Sequence, residues 1–383
     1  LLSIWLHQEV GLKAGDTGII YAVLSVSALF AQVCYGFIQD KLGLRKHLLW
    51  YITALLILSG PAYLLFGHLL KINVLLGSIF GGIYIGLTFN GGIGVLESYT
   101  ERVARQSQFE FGRARMWGSL GWAVATFFAG LLFNINPQLN FLVASCSGLV
   151  FFILLARLRV SSAPHAMQEA VSGGKVTLED ALRLLTLPRF WALVFFVIGT
   201  CIYGVYDQQF PVYFSSQFAT LQEGNEMYGY LNSFQVFLEA AGMFCAPWLV
   251  NRIGAKNALL TAGMIMSVRI LGSSFASSAV EVVILKMLHM FEIPFLLVGT
   301  FKYISSAFNP RLSATLFLIG FNLSKQLSGV VLSAWVGRMY DTVGFHQAYL
   351  ILGCITLSFT LLSFVTLRGG NRLLPTAETQ SPA

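Results

Sequence analysis

Charged side chains are scarce in this 383-residue sequence: Asp, Glu, Lys and Arg together make up 11%, against 56% hydrophobic residues. An ordinary soluble chain carries about 25% charged and about 45–50% apolar residues, and a soluble domain has no means of hiding the excess apolar surface. Cysteine is sparse as well. The five, Cys34, Cys146, Cys201, Cys245 and Cys354, sit apart in apolar runs without CxxC or metal-ligand spacing. That excludes a thiolate metal centre and leaves packing as their role. Neither a GxSxG nor an HExxH pattern occurs, so no catalytic residue and no metal ligand set is assigned. Segments of alternating polarity about 10 residues long, the mark of a transmembrane barrel, are missing too.

What is present is a series of long apolar runs, such as 19–38, 48–70, 141–156, 258–276 and 348–367. Each approaches the roughly 20 residues that cross a hydrocarbon core of about 30 Å. With no water there to satisfy backbone groups, such runs must be helical, so the expected fold is all-α and polytopic. The expected spans are 16–38, 47–69, 73–99, 112–134, 138–158, 189–214, 227–250, 257–276, 280–306, 311–337 and 345–367. The formal charge of +7 would suggest nucleic acid in a soluble protein, but the bases alternate with the loops. Lys41, Arg45, Lys46, Arg102, Arg113, Arg157, Lys175, Arg183, Arg252, Lys256, Arg311 and Arg368 share one side, whereas Lys13, Lys71 and Arg338 hold the other. Positive loops stay inside, which puts the C-terminus in the cytoplasm.

A long-range echo organises the chain. Asp40, Lys41, Gly43 and Arg45 after one apolar run resemble Asn251, Arg252, Gly254 and Lys256 after another, which predicts two parallel halves. The expected division is a first helix bundle at 1–158, a cytoplasmic loop at 159–188, a six-helix bundle at 189–367 and a cytoplasmic tail at 368–383. Fewer residues precede Asp40 than fill the matching part of the second half, so the expectation is eleven spans, with the first helix of the plan missing. Gly77, Gly81, Gly82, Gly86, Gly91, Gly92 and Gly94 line one span at small-residue spacing and are read as packing positions.

Charges inside the spans cost about 2.5–3.5 kcal/mol each near the bilayer centre, so they need partners or a function. The acids are Glu97, Asp207, Glu239 and Glu292; the bases are Arg115, Arg269, Lys286 and Lys325. Lys286, His289 and Glu292 follow at i, i+3 and i+6, a polar stripe on one helix face. For Lys286 with Asp207 the expected role is a charge pair that pins helices. For His289 and Glu292 it is an ion path. Burial favours the neutral carboxyl, so Glu292 can hold a proton at neutral pH, and Arg269, approaching in one conformation and withdrawing in another, would turn motion into proton uptake and release. Glu97 and Arg115 supply polar groups, and Trp122 a flat platform, for a polyhydroxylated ring; Arg115 as a loop charge and Trp122 as an interfacial anchor are the plainer alternatives. Tyr203, Tyr206, Asn232, Gln235 and Glu239 form a second polar cluster.

Four runs carry a resemblance that spans essentially the whole chain: Asp40-Lys41-Leu42-Gly43-Leu44-Arg45-Lys46, Phe109-Glu110-Phe111-Gly112-Arg113-Ala114-Arg115-Met116, Asp207-Gln208-Gln209-Phe210 and Lys286-Met287-Leu288-His289-Met290-Phe291-Glu292-Ile293-Pro294. They resemble the bacterial lactose permease family, oligosaccharide–proton symporters of the major facilitator superfamily. The resemblance implies an inner-membrane monomer of two six-helix bundles, with the proton as coupling ion and no other cofactor. It further implies a sugar site at Glu97, Arg115 and Trp122, coupled by His289 and Tyr203 to a proton site. There Glu292 carries the proton, Arg269 favours its release and Lys286 pairs with Asp207. Gly204 stands where the lactose permease has an aspartate, leaving Lys325 without its usual partner, for which Glu239 or Asp207 would substitute. Val236 replaces a glutamate important to lactose transport. Tyr228-Gly229-Tyr230-Leu231-Asn232-Ser233-Phe234-Gln235-Val236 and Pro211-Val212-Tyr213 are more similar to the sucrose permease branch. Sucrose is therefore the favoured substrate, ahead of lactose, melibiose and raffinose, and a non-transporting sensor or an inactive fragment ranks lower.

Overall fold

The computed structural model describes residues 1–42, 44–107, 111–158, 184–308 and 316–367. The first part of the chain forms α1 (Leu2–Gln8), α2 (Ala14–Leu42), α3 (His47–Ile57), α4 (Ser59–Ile72), α5 (Val74–Ile85), α6 (Gly92–Ser107), α7 (Phe111–Ile135) and α8 (Gln138–Arg157). The second forms α9 (Pro188–Thr200), α10 (Ile202–Ser215), α11 (Leu221–Ile253), α12 (Ala255–Phe275), α13 (Ala279–Met287), α14 (His289–Ala307) and α15 (Ser324–Thr366). Wide π-helical turns at Gly86–Gly91 and Phe317–Leu323 precede α6 and α15. Side-chain caps start several helices where the chain leaves a loop. Asn73 accepts from Leu75 and Leu76, Thr220 from Glu223, and Ser278 from Glu281, each satisfying an amide that the helix leaves open.

Among the described residues nine helical stretches are long and apolar enough to cross a membrane, and a bent pair, α3 with α4, makes a tenth. The stretch Gly320–Thr366 has 47 residues, about 70 Å at 1.5 Å per residue and so more than twice the hydrocarbon thickness. It breaks at Gly344, whose φ of 78° only glycine adopts without strain, into two helices, between the expected spans 311–337 and 345–367. The expected span 311–337 begins in residues outside the described ones.

Three expected spans are interrupted, among them 189–214, which is divided at Cys201 between α9 and α10. The run 47–69 is bent by 58° between α3 and α4, because Pro61 has no N–H to give the carbonyl of Ile57 and the hydrogen-bond ladder is interrupted there. The run 280–306 is divided at Leu288, whose amide bonds Leu285 in a tighter turn. Lys286, His289 and Glu292 nevertheless stay buried on the inward side. The glycine stripe packs as expected at Gly81, where an added Cβ would meet Phe66 at 2.2 Å, and at Gly86, where it would meet Ser27 at 2.7 Å; Gly94 has open space.

The apolar cores follow the division of the chain. One joins Leu184 to Leu367 through α9 to α15, and two smaller ones lie among residues of α1 to α8. Hydrogen bonds that join the two parts cluster at the end with few bases. Asp341 accepts from the amides of Ala14 and Gly15 at 3.0 and 2.7 Å, capping the start of α2 from across the interface. Gln8 and Asn225 exchange hydrogen bonds at 3.2 and 3.0 Å, and Asn134 donates to Gln222 and Glu226. Backbone approach is close there: a Cβ on Gly18 would stand 2.3 Å from the Ser333 carbonyl, and one on Gly130 2.4 Å from that of Asn225. The two parts are clasped at this end, and the cavity described next lies deeper along the bundle.

Candidate functional site

Between the two parts lies a cavity of about 550 Å³. That is within the roughly 300–1,000 Å³ typical of small-ligand sites. The first part contributes Leu96, Glu97 and Thr100 from α6 and Ser119 and Trp122 from α7. The second contributes Asp207 from α10, Asn232, Gln235, Val236 and Glu239 from α11, Lys286 from α13 and His289 from α14. Eight of the candidate residues, Glu97, Trp122, Asp207, Asn232, Gln235, Glu239, Lys286 and His289, thus face one space from opposite walls. Trp122 is 57% exposed and offers its indole to the cavity. Arg115 belongs to α7 by its backbone, and its side chain lies outside the described residues. Sequence reasoning missed Thr100 and Ser119, small hydroxyl residues whose spacing carries no signal.

Beneath this cavity sits a charge cluster drawn from four helices. Arg269 of α12 is fully buried and answers two carboxylates at once. Its Nε and Nη2 donate to Glu292 of α14 at 3.0 and 2.6 Å, and its Nη1 and Nη2 donate to Asp207 at 2.9 and 3.4 Å. A planar guanidinium with five donors suits such a double fork, where an ammonium would serve only one side. Below it lies the ring of Tyr206, 4.8 Å from Cζ, whose hydroxyl meets Ser273 at 2.8 Å. Lys286 donates to Asp207 at 2.7 Å, so that carboxylate holds two cations. The His289 Nδ1 contacts Glu292 directly, while its Nε2 faces Glu239 at 3.9 Å.

One expectation needs correction. Lys325 is paired with neither Glu239 nor Asp207: among the described residues no carboxylate lies within 4 Å of it, and its ammonium instead stands 5.5 Å from the ring centroid of Tyr203. The reason is occupancy, since Asp207 is taken by two stronger donors and Glu239 turns to the imidazole. Tyr203 is buried behind His289, with ring centroids 5.9 Å apart, and is not among the cavity's lining residues. Asp207, His289 and Glu292 also offer ligand atoms within 4.8 Å of one another. A dication there would have to displace Arg269 and Lys286, whose charges already compensate both carboxylates, so the donor set does not suit a metal.

Membrane-length helices, a polar cavity walled by both parts of the chain and ionisable groups buried beside it define a polytopic secondary transporter. The sequence profile described as LacY proton/sugar symporter matches residues 1–378, and the chain belongs to that family of proton-coupled sugar symporters, multi-pass proteins of the inner membrane. The chain is 54% identical to a lactose permease of Klebsiella oxytoca over 97% of its own length and 91% of that protein. It is 45% identical to a raffinose permease of Escherichia coli, covering 100% of this chain and 91% of the relative, and 39% identical to a sucrose permease of Escherichia coli, covering 94% and 87%. Among solved structures, the nucleoside transporter NupG shares the fold with a TM-score of 0.77 at 12% identity, over 96% of this chain and 94% of that one.

Proposed function

We propose that the protein carries a disaccharide into the cell together with a proton by alternating access, acting as a monomer with its base-rich loops and C-terminus in the cytoplasm. The observation that carries this reading is the placement of Glu292: wholly buried, bonded to Arg269 and to an imidazole that itself faces the cavity. Residues 1–158 and 189–367 act as two bundles that rock about the cavity. Glu97, Trp122, Asn232, Gln235, Glu239 and His289 hold the sugar, with Arg115 a further candidate on α7. Trp122 covers the C–H face of a ring, and the carboxylates and amides accept or donate to its hydroxyls. Glu292 takes the proton, and the guanidinium of Arg269, already in contact with it, favours release.

Sucrose is the substrate that the wall segment of α11 favours, where Val236 supplies an apolar surface and Glu239 stands one turn further on. A galactoside such as lactose, melibiose or raffinose is the second reading, favoured by the higher identity to the lactose and raffinose permeases than to the sucrose permease. Uptake of the four labelled sugars into vesicles, with external pH recorded, tests both readings. Alkalinisation on adding one sugar to de-energised vesicles identifies the substrate. Uptake with no proton movement for any of them would defeat the symport.

A further inference from the structure

A second hollow, of about 800 Å³, lies away from the charge cluster, at the end of the second part opposite the clasp. Three helix ends frame it. The start of α9 contributes Leu187, Arg189, Ala192 and Phe195, the end of α14 contributes Phe308, and the end of α15 contributes Val365. Phe195 stacks on Phe359 of α15 with ring centroids 4.4 Å apart, which fixes that wall. The lining is apolar apart from Arg189 and Thr366, so the hydroxyls of a sugar would find few partners in it. An amphiphile with one apolar limb fits such a wall.

The charge at its rim has one sign. Arg189 is the charged residue of the lining, and no acid stands among the described lining residues. Lys256 reaches the same end from α12. Its ammonium donates to the Phe364 carbonyl at 2.7 Å, beside the lining residue Val365, and so answers the negative end of α15. The start of α9 is the positive end of a helix, and its N-cap, Leu187, offers no side-chain acceptor to the first amides. Trp191 marks the depth. It is 53% exposed, and its indole N–H is already given to the Leu185 carbonyl at 2.7 Å, the posture of a ring held at the level of lipid headgroups.

We propose that this hollow binds one anionic phospholipid of the adjoining leaflet. An acyl chain lies along Ala192, Phe195, Phe308 and Val365, and the phosphodiester sits between the Arg189 guanidinium and the uncapped start of α9. Neither half of the lipid suffices. A headgroup alone would gain an exposed ion pair, which is worth little in water, and a chain alone would not distinguish one lipid from another. Bound together, they tie the ends of α9, α14 and α15 and stabilise the folded second part by mass action. The site is independent of the sugar and of the proton.

The test uses the full chain in a neutral detergent, by native mass spectrometry and thermal unfolding. The probes are phosphatidylglycerol, phosphatidylcholine with the same acyl chains, and glycerol 3-phosphate as the headgroup without chains. Each base near an anionic lipid strengthens its binding about fivefold, so Arg189 and Lys256 together predict a preference for phosphatidylglycerol on the order of tenfold or more. One such lipid is retained per chain and raises the melting temperature, whereas glycerol 3-phosphate does neither. Arg189→Gln lowers the preference about fivefold with sugar affinity unchanged, and Ala192→Trp, which fills the hollow, loses both lipids. Equal retention of the two lipids would leave only an unselective apolar surface. Undiminished preference in Arg189→Gln would place the headgroup elsewhere, and glycerol 3-phosphate binding as tightly as the lipid would leave only a phosphate site. Each of these, like a failure of the unaltered protein to retain any lipid, overturns the proposal.

Discussion

At the scale of single residues, Arg269 bears the largest demand, because two buried carboxylates depend on one guanidinium. Removing one partner of a buried ion pair costs about 3–5 kcal/mol. Arg269→Gln is therefore expected to lower the melting temperature in detergent sharply. Arg269→Lys is expected to recover only part of the loss, since a point charge cannot reach both acids. Lys286 and Lys325 differ in the opposite sense. Lys286 is hydrogen-bonded to Asp207, whereas Lys325 rests on a tyrosine face, a contact worth about 0.5–2 kcal/mol. Lys325→Ala should keep more sugar uptake than Lys286→Ala, and the reverse order in transport assays would contradict these contacts. Trp122→Ala is expected to weaken sugar binding several-fold, in keeping with about 0.5–1.5 kcal/mol for a stacked ring, while Trp122→Phe retains most of it; equal affinities by titration would speak against the platform.

At the scale of elements, the spans and their order were legible, because a long apolar run in a charge-poor chain leaves few alternatives to a membrane helix. The residues of the site were legible for a related reason: acids and bases set in oil announce themselves. Their partners were not. That Arg269 reaches both Asp207 and Glu292 depends on α10, α12 and α14 converging, and no spacing within one helix encodes it. The clasp between Asp341 and the start of α2 was equally silent, being an ordinary aspartate near a loop until α15 meets α2. Asp341→Ala removes the acceptor of two helix-start amides. The expected outcome is a longer mean distance between spin labels at Lys13 and Thr342, read by pulsed resonance. Gly344 is a second element-level device. A side chain at its φ of 78° and ψ of 171°, a region open essentially to glycine alone, costs about 1–3 kcal/mol, so Gly344→Ala should lower thermal stability while leaving sugar affinity unchanged.

At the scale of the whole molecule, the two parts of the chain share a cavity and are fastened at one end, so in the proposed cycle the step that admits sugar from that side must first undo the Asp341, Asn225 and Asn134 contacts. Each is an exposed or half-buried hydrogen bond worth about 0.5–1.5 kcal/mol net, a barrier small enough for a bound ligand to shift. The charges around the cavity in the second bundle bear on energetics in another way. Asp207, Glu239 and Glu292 are matched in number by Arg269, Lys286 and Lys325. In the proposed cycle an empty carrier with its acids ionised brings no surplus charge of this set across the bilayer, so this set adds no voltage dependence to the return stroke. Adding one hydrogen ion tips the set to +1, and the cell's resting potential then pulls on the laden stroke alone, with about 2.3 kcal/mol per 100 mV.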